Sequence, residues 1–374
     1  MKILVVGGTY DRGGGKESGL IRKLGGALAK FTEDHIAYAN GGYIEDLKQL
    51  LNDTKSYDAV FWFANVSNDE EKIRDVKEVA PHTLLVNSKR NDFVEEGKQK
   101  YDMEELLQRA LALKANLCFE FCKLNDSIFR IKVFDPLGCV WYEGTDINDA
   151  VVATVKRLHY LKSVTRKPSV TVENKVDVVF TERDNEFLEF IKSSAETFHK
   201  LMCLPAEVKR FVGNASLRFK SATRCMSGFP AIRRDDYILI SRRNVDKTGI
   251  SEKDFVPCYL DEDGRVAFVG ENKPSVDAPV QLRLFNALPN IDYILHGHCY
   301  IKGAPMTSMA IPCGAVEEVD ETLATLAKQY KTLEGTFYVL NLKGHGCLIM
   351  ANSDKLDVMK DVEFYVRPMP EYMN

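Results

Sequence analysis

The stretch Tyr293-Ile294-Leu295-His296-Gly297-His298-Cys299-Tyr300 is an apolar run that ends in two histidines separated by one residue. If the run is a β-strand, its side chains alternate between two faces, and residues two apart point the same way. His296 and His298 are then neighbours on one face, close enough to bind one divalent metal. His345 precedes another apolar run later in the chain. Three neutral imidazoles with one position left for water or substrate are typical of a catalytic zinc site.

A His-x-His pair on a strand has a second interpretation, in which two polar side chains simply lie on a solvated face. The chain has only 7 histidines. His296, His298 and His345 each stand beside glycine at an expected strand end. This placement favours the metal hypothesis.

Length and composition limit the classes of protein to consider. The 374 residues, 45% of them hydrophobic, predict two or three domains with proper cores. A formal net charge of −4 and a pI near 6.1 give no global electrostatic argument for nucleic acid or an anionic membrane, so we expect neither partner.

Cysteine usage and the start of the chain indicate the compartment. The 9 cysteines are scattered without a Cys-x-x-Cys pair, and the chain runs from Met1 into an apolar strand without a secretory leader. No apolar run reaches the ~20 residues that span a bilayer. These features predict a cytoplasmic protein with free thiols.

Strands and helices alternate through the first 165 residues. This alternation predicts a doubly wound parallel sheet, which is a Rossmann-like α/β domain. The pattern also predicts one helix over residues 103–118 and a β-hairpin around Pro136-Leu137-Gly138.

A glycine-rich turn follows the first strand and precedes a helix. Its candidate ligand-binding residues are Gly8, Thr9, Gly13, Gly14, Lys16 and Ser18. Backbone N–H groups and a helix N-terminus can bind phosphate at such a turn, which makes it a candidate nucleotide site. The turn matches neither a P-loop nor Gly-x-Gly-x-x-Gly in the correct register. A turn that only permits close packing is the alternative.

Polar residues follow three of the predicted parallel strands, at Gly8-Thr9, residues 65–67 and Asn87-Ser88. Ligands of open parallel sheets bind at the carboxyl ends of the strands. We therefore expect these three segments to line one pocket.

A polar and basic segment, Thr165-Arg166-Lys167-Pro168-Ser169, marks the predicted domain boundary. We predict a first domain over residues 1–165, a linker over residues 166–183 and a second domain over residues 184–374. The second domain begins with an amphipathic helix over residues 184–204.

The order of features in the second half resembles the class II aldolase/adducin family. The helix is followed by Gly213-Asn214, a Leu-Ile-Ser strand with its loop, Lys273-Pro274-Ser275, another helix, the His-x-His pair and the later His345-Gly346. The resemblance runs from residue 184 to about residue 365, roughly half of the chain. It implies an α/β domain with a central, mainly antiparallel sheet.

The resemblance implies roles for individual residues. Family members bind a divalent metal, usually zinc, through the histidines that correspond to His296, His298 and His345. The turn at Gly213 and Asn214 and the segment with Ser275 belong to the pocket for the substrate's phosphate. Asp277 stands where the family has a glutamate that serves as acid and base.

Three departures from the family pattern surround that pocket. Asp277 is one methylene shorter than glutamate, and Val276 stands where the aldolases tend to carry a second serine. Asn244 replaces a loop glycine, which is tolerable because asparagine adopts the left-handed conformation. Arg242 and Arg243 could supply affinity for an anion, although solvated surface arginines are the alternative interpretation.

The resemblance also implies a class of reaction. Aldol cleavage, epimerisation and dehydration beside a carbonyl all form an enediolate-like anion, which a divalent metal stabilises. We therefore predict a metal-dependent lyase, or a related epimerase or dehydratase, that acts on a small and phosphorylated sugar. Family members commonly form tetramers in which a tyrosine near the C-terminus assists catalysis, and Tyr372 and Tyr365 are the candidates here.

Two alternatives to an enzyme remain open at this stage. Adducin-type members keep the fold as a non-catalytic interaction module, typically without the histidines. A ligand-sensing protein could use the N-terminal pocket and hold a structural metal, which would need a fourth protein ligand such as Cys299 or Asp277.

Overall fold

The structure is a computed structural model that describes residues 1–66, 75–95, 97–125, 128–165, 169–172, 178–201, 213–219 and 237–365. The chain divides into two compact units, Met1–Ser163 and Val164–Asn374. Both units combine helices with a large sheet, which confirms the predicted α/β class.

The first unit contains ten of the described strands and five helices. The strands are β1 (Lys2–Asp11), β2 (His35–Tyr43), β3 (Ala59–Trp62), β4 (Asn65–Val66), β5 (Leu84–Arg90), β6 (Phe93–Glu95), β7 (Lys98–Gln99), β8 (Leu117–Lys123), β9 (Phe129–Phe134) and β10 (Val140–Gly144). The helices are α1 (Gly19–Phe31), α2 (Ile44–Asp53), α3 (Val76–Val79), α4 (Met103–Ala112) and α5 (Ile147–Ser163).

The main sheet of the first unit has the order β10-β9-β8-β5-β3-β1-β2, and β4 pairs with the end of β1. The five strands from β2 to β8 are parallel, whereas β9 and β10 add an antiparallel hairpin. Alternate residues of β1 face opposite sides: Ile3 packs in one core with α1 and α5, and Leu4 packs in another with α2 and α4. Covering helices on both faces make this a doubly wound sheet, as predicted.

The helix predicted over residues 103–118 is wrong in its second half. Helix α4 ends at Ala112, Lys114 takes a left-handed conformation with φ 52°, and β8 begins at Leu117. The residues of β8 from Leu117 to Cys122 are all buried inside the sheet. A short apolar run without alternation fits a buried strand as well as a helix. This run is buried between two helical layers, which is the environment of a strand in a parallel sheet.

The second unit contains the remaining described elements. The strands are β11 (Ser169–Val172), β12 (Gly213–Arg218), β13 (Ile238–Ser241), β14 (Phe255–Leu260), β15 (Val266–Val269), β16 (Tyr293–Gly297), β17 (Tyr300–Ile301), β18 (Phe337–Leu342), β19 (Gly346–Ala351) and β20 (Phe364–Tyr365). The helices are α6 (Glu182–Leu201), α7 (Ala278–Ala287), α8 (Glu317–Tyr330) and α9 (Leu356–Met359).

The main sheet of the second unit has the order β11-β15-β14-β13-β12-β16-β19-β18. All neighbours are antiparallel except β11 and β15, which confirms the predicted mainly antiparallel sheet. Strand β16 lies inside the sheet, between β12 and β19. Its residue Ile294 packs with α7 and α8 on one face. On the other face the Tyr293 ring packs at a tilt against Phe187 of α6, with 4.5 Å between the ring centroids.

The segment predicted as a linker, residues 166–183, contributes β11 to this sheet. Ser169 to Val172 pair in parallel with Val266 to Val269. The run Val170-Thr171-Val172 is β-branched throughout, which suits an edge strand. Among the described residues, no helix has the length and apolar character needed to cross a bilayer.

Candidate metal centre

The end of strand β16 carries the first two histidines. Every residue of β16 is buried, because the strand pairs on both sides and is covered on both faces. By strand alternation His296 shares the face of Ile294, which is the face of α7 and α8. His298 follows just after the strand, and its ring centroid is 5.0 Å from that of His296.

The turn between β18 and β19 carries the third histidine. Gly344 and Gly346 flank His345 with φ 65° and 139°, conformations that favour glycine. The His345 ring centroid lies 4.6 Å from that of His296 and 5.8 Å from that of His298. One ring nitrogen from each histidine lies within 4.8 Å of those of the other two. The structure thus brings together the three histidines that the sequence selected.

Hydrogen bonds orient two of the three rings. His296 Nδ1 donates to the backbone carbonyl of Cys347 at 2.9 Å, and His345 Nδ1 lies 2.7 Å from Glu318 Oε1. In both rings Nε2 is buried and has no hydrogen-bond partner among the described residues. Histidines that bind metals characteristically use one nitrogen for such a partner and the other for the ion.

Asp277 lies beside the histidines at the start of α7. Its Oδ2 is 3.9 Å from His296 Nε2, and its Oδ1 accepts hydrogen bonds from the backbone N–H of Gly314 at 2.8 Å and from Cys313 Sγ at 2.9 Å. Burial alone would raise the pKa of Asp277, but His345 and His296 lower it to about 2. The carboxyl group is therefore ionised across the physiological range of pH.

The pKa values of the histidines differ because their neighbours differ. Burial, reinforced by His345, lowers the pKa of His296 to about 4, and burial likewise lowers that of His298. His345 is buried as well, but the Glu318 carboxylate raises its pKa well above the ordinary value. The centre therefore combines two neutral imidazoles with a third that would release a proton on binding a cation.

A chain of amides holds Asp277 from the side of β12. Asn214 Nδ2 donates to Asp277 Oδ2 at 2.6 Å, and Gln281 Nε2 of α7 donates to Asn214 Oδ1. All three side chains are buried. The side chain of Asn214, which the family pattern associates with a phosphate pocket, faces the carboxylate in this structure.

Two glycines allow backbone segments to approach the centre closely. A Cβ on Gly213 would lie 1.9 Å from the carbonyl oxygen of His296, and one on Gly314 would lie 2.7 Å from that of Val276. Both glycines also have positive φ values, 112° and 74°. Gly213 thus lets β12 pair closely with β16, and Gly314 lets its own N–H reach Asp277.

The other predicted substrate residues lie around the loop before α7. Ser275 is half-buried, and its backbone N–H donates to the Ser241 carbonyl at 3.1 Å. Arg242 Nε donates to Asp254 Oδ1 at 2.7 Å, whereas Arg243 is exposed. Asn244 takes φ 61°, the left-handed conformation expected for it. Tyr372 lies outside the described residues.

Three functional candidates were not found from the sequence. Glu318 orients His345, Cys313 forms a second potential metal-binding group with Asp277 and His345, and Lys247 is buried nearby. Burial lowers the pKa of Lys247 to about 8. None stands in a motif, and only the rule that metal-binding histidines carry a carboxylate or carbonyl partner could have prompted a search for Glu318. Among the described residues, Cys299 belongs to neither potential metal-binding group.

The glycine-rich turn of the first unit is folded back on itself. Thr9 N–H donates to the Lys16 carbonyl at 2.9 Å, Lys16 N–H to Thr9 Oγ1 at 2.7 Å, and Gly13 N–H to Asp11 Oδ1 at 2.8 Å. Gly14 has φ 94° and packs beside a tyrosine ring. Of the six predicted ligand-binding residues, Gly8 and Ser18 line a cavity.

Comparison with known proteins gives one family match. Residues 195–304 match the family model of the class II aldolase and adducin N-terminal domain. The match falls inside the second unit and is consistent with a C-terminal class II aldolase domain, which confirms the resemblance seen in the sequence. A search of curated protein sequences gave no match.

Several solved structures are similar to parts of the chain. An L-fuculose 1-phosphate aldolase is 18% identical, with 49% of this chain and 84% of that chain covered and a TM-score of 0.32. The L-fuculose-1-phosphate aldolase from Thermus thermophilus is 15% identical, with 46% of this chain and 84% of that chain covered and a TM-score of 0.28. A DNA/pantothenate metabolism flavoprotein from Streptococcus pneumoniae is 12% identical, with 42% of this chain and 98% of that chain covered and a TM-score of 0.32.

Proposed function

We propose, from the class II aldolase match of residues 195–304, that the second unit is a divalent-metal-dependent lyase. The substrate class is a small phosphorylated sugar, and the reaction is aldol cleavage or a related epimerisation or dehydration. The observation that carries the proposal is the convergence of His296, His298 and His345, two of which present buried Nε2 atoms without a partner among the described residues.

The donor set suits a divalent cation and favours zinc. Three imidazoles with nearby carboxylate and thiol groups are the ligands that zinc prefers, and three protein ligands leave a position for substrate. Bound there, a divalent cation would act as a Lewis acid on the substrate oxygens and stabilise the negative charge that develops beside the carbonyl. The Nε2 atoms of His296 and His345 fit the role of metal ligands. A buried polar atom without a partner is costly, and a bound cation would supply that partner.

Asp277 is the residue to which we assign proton transfer. Its Oδ1 is occupied by Gly314 and Cys313, whereas Oδ2 faces His296. We therefore assign the transferred proton to Oδ2, and the carboxylate is ionised and ready to accept it. Asn214 holds this oxygen in place through its 2.6 Å hydrogen bond, because an acid–base group must stay within hydrogen-bond reach of its substrate.

We assign binding of the substrate's phosphate to the loop residues Ser275, Arg242 and Arg243. Arg243 is exposed and available to a ligand, while Arg242 is braced by Asp254. A homotetramer with a contribution from Tyr372 belongs to the same proposal and rests on the family resemblance alone.

Metal content tests the proposal directly. Mass spectrometry of wild-type protein purified without chelator should find about one zinc, manganese, iron or cobalt ion per chain. The double variant His296→Ala/His298→Ala should lose the ion and any cleavage of sugar phosphates. The matched control His35→Ala/His82→Ala removes two exposed histidines of the first unit and should keep both. A wild type that stays metal-free after incubation with each ion would overturn the proposal.

A further inference from the structure

The carboxyl edge of the parallel sheet in the first unit surrounds a cavity of about 470 Å³. Gly8 of β1, Asn65 of β4 and Asn87 and Ser88 of β5 all line it, so the strand ends that the sequence grouped together do meet there. The volume lies within the range of small-ligand sites, and this edge is where open α/β sheets bind ligands.

The described residues that line the cavity carry charges of one sign. Its lining contains Lys89, Arg90 and Arg109 and, among the described residues, not one aspartate or glutamate. Arg90 is neutralised by Asp92, with Nε 2.5 Å from Oδ2. Lys89 has no carboxylate partner in the described part of the chain, and its Nζ lies 4.4 Å from the centroid of the Tyr101 ring. Cations in the described lining are suited to an anionic ligand such as a phosphate.

The lining also has an apolar, aromatic part. It consists of Trp62, Phe63, Phe121 and Phe129. Phe63 and Phe121 pack edge to face at 6.2 Å, so their rings are held by each other. Trp62 is 8% exposed and lies at the end of β3. Flat apolar surfaces beside cations are the combination that binds a planar ring carrying phosphate.

The glycine-rich turn does not supply the phosphate site. The N–H groups of Thr9, Gly13, Lys16 and Ser18 all donate within the protein, Ser18 to Asn40 Oδ1 at 2.9 Å. A phosphate cradle needs N–H groups that point at the ligand. The cationic donors that line the cavity instead come from the end of β5 and from α4.

We propose that this cavity binds a nucleotide, with the base against the aromatic lining and the phosphates at Lys89 and Arg109. Asn87 adds a polar side chain to the lining, and its Oδ1 accepts from Cys118 Sγ. The site belongs to the first unit alone and does not depend on the lyase proposed for the second.

Titration of the full-length protein with ATP, GTP, CTP and UTP in EDTA tests the proposal. Trp62 and Trp141 are the two tryptophans of the chain, and Trp62 lines the cavity. We expect at least one of the four nucleotides to quench the fluorescence in a saturable manner. Calorimetry should give the same affinity, and the Trp62→Phe variant should lose the quench.

Two variants test the role of the cations. Lys89→Gln should weaken binding by about tenfold or more, because a hydrogen bond to a charged group is lost. Lys100→Gln is the matched control, since Lys100 also lies beside the Tyr101 ring, at 5.5 Å, but is outside the lining. His296→Ala/His298→Ala should bind the nucleotide like wild type.

Three outcomes would overturn the inference. One is the absence of binding by all four nucleotides at millimolar concentration. Another is equal weakening by Lys89→Gln and Lys100→Gln. The last is a full loss of binding in His296→Ala/His298→Ala, which would assign the nucleotide to the metal centre. Tripolyphosphate and adenosine, tested separately, should each bind more weakly than ATP if the cavity binds ATP through both its parts.

Discussion

Asn214 Nδ2 donates a 2.6 Å hydrogen bond to Asp277 Oδ2 and so connects β12 to the first turn of α7. Gln281 completes the connection by donating to Asn214 Oδ1. The three side chains are 1–4% exposed, so water does not replace a lost partner. The carboxylate proposed to move protons is therefore held by two residues that belong to neither potential metal-binding group.

Replacing Asn214 with alanine should destabilise the second unit by about 1–3 kcal/mol, because it leaves buried groups of Asp277 and Gln281 without a partner. Circular dichroism at 222 nm during guanidinium unfolding measures the loss. Tryptophan fluorescence should not change, since Trp62 and Trp141 both lie in the first unit. Asn272→Ala removes an exposed asparagine and should cost less than about 0.5 kcal/mol; equal effects of the two variants would contradict the prediction.

Glu318→Gln should lower the affinity for zinc by about 10- to 100-fold, since partners of metal-binding histidines have effects of this size. The carboxylate lies 2.7 Å from His345 Nδ1 and holds the proton there, so that Nε2 is the atom that releases its proton and binds the ion. Competition with a chromophoric chelator measures the affinity.

Glu317→Gln is the control for this variant, because Glu317 precedes Glu318 in the same helix and its Oε1 accepts from the Thr165 N–H at 2.9 Å instead. The control should bind zinc like wild type. An unchanged affinity in Glu318→Gln would show that Glu318 does not support the metal centre.

The sequence predicted the centre as far as local pattern reaches. His296 and His298 were selected because they are two residues apart at the end of an apolar run, and His345 was selected by its glycines. Glu318 was missed because its partner is 27 positions away and nothing in its own helix marks it. Cys313 was missed for the same reason, since only folding brings its thiol to Asp277.

The fold was predictable where helices and strands have distinct periods. Alternating elements predicted the doubly wound sheet, and its strand order and helical layers agree with that prediction. Strand β8 was mistaken for helix because its residues are buried on both faces, which removes the alternation that identifies a half-exposed strand. Tertiary packing, and not local sequence, determines whether such a run forms a strand or a helix.

Gly213→Ala should unfold the second unit or destabilise it by more than about 3 kcal/mol. The added Cβ would overpack against the backbone, and alanine is strained at a positive φ. The new Cβ would lie 1.9 Å from the His296 carbonyl oxygen, in a backbone with φ 112°. The same circular dichroism experiment measures the effect.

Gly249→Ala is the matched control, because no described atom lies within 4 Å of a Cβ at that position. It should change the free energy of unfolding by less than about 1 kcal/mol. A Gly213→Ala protein as stable as Gly249→Ala would mean that β12 does not pair so closely with the histidine strand.

Asp135 makes the stability of the first unit depend on pH. It is buried, and its Oδ1 accepts from the backbone N–H groups of Leu137 at 3.0 Å and Cys139 at 3.1 Å, while Oδ2 accepts from Trp141 Nε1 at 3.2 Å. Burial raises its pKa from 3.8 to about 6, against the lowering effect of these hydrogen bonds and of Arg157. The folded state therefore binds this proton more tightly than the unfolded state does.

The stability that this carboxyl group contributes is complete below pH 3.8 and is lost as pH rises through about 6. The loss amounts to about 3 kcal/mol, from the free energy that a pKa shift represents. Asp135→Asn cannot ionise, so its stability relative to wild type should improve by about that amount between pH 4 and pH 6.5. Urea unfolding followed by tryptophan fluorescence measures it, with the exposed Asp53→Asn as control. Parallel pH profiles for wild type and Asp135→Asn would refute the assignment, because the proton would then be bound equally by the folded and unfolded chains.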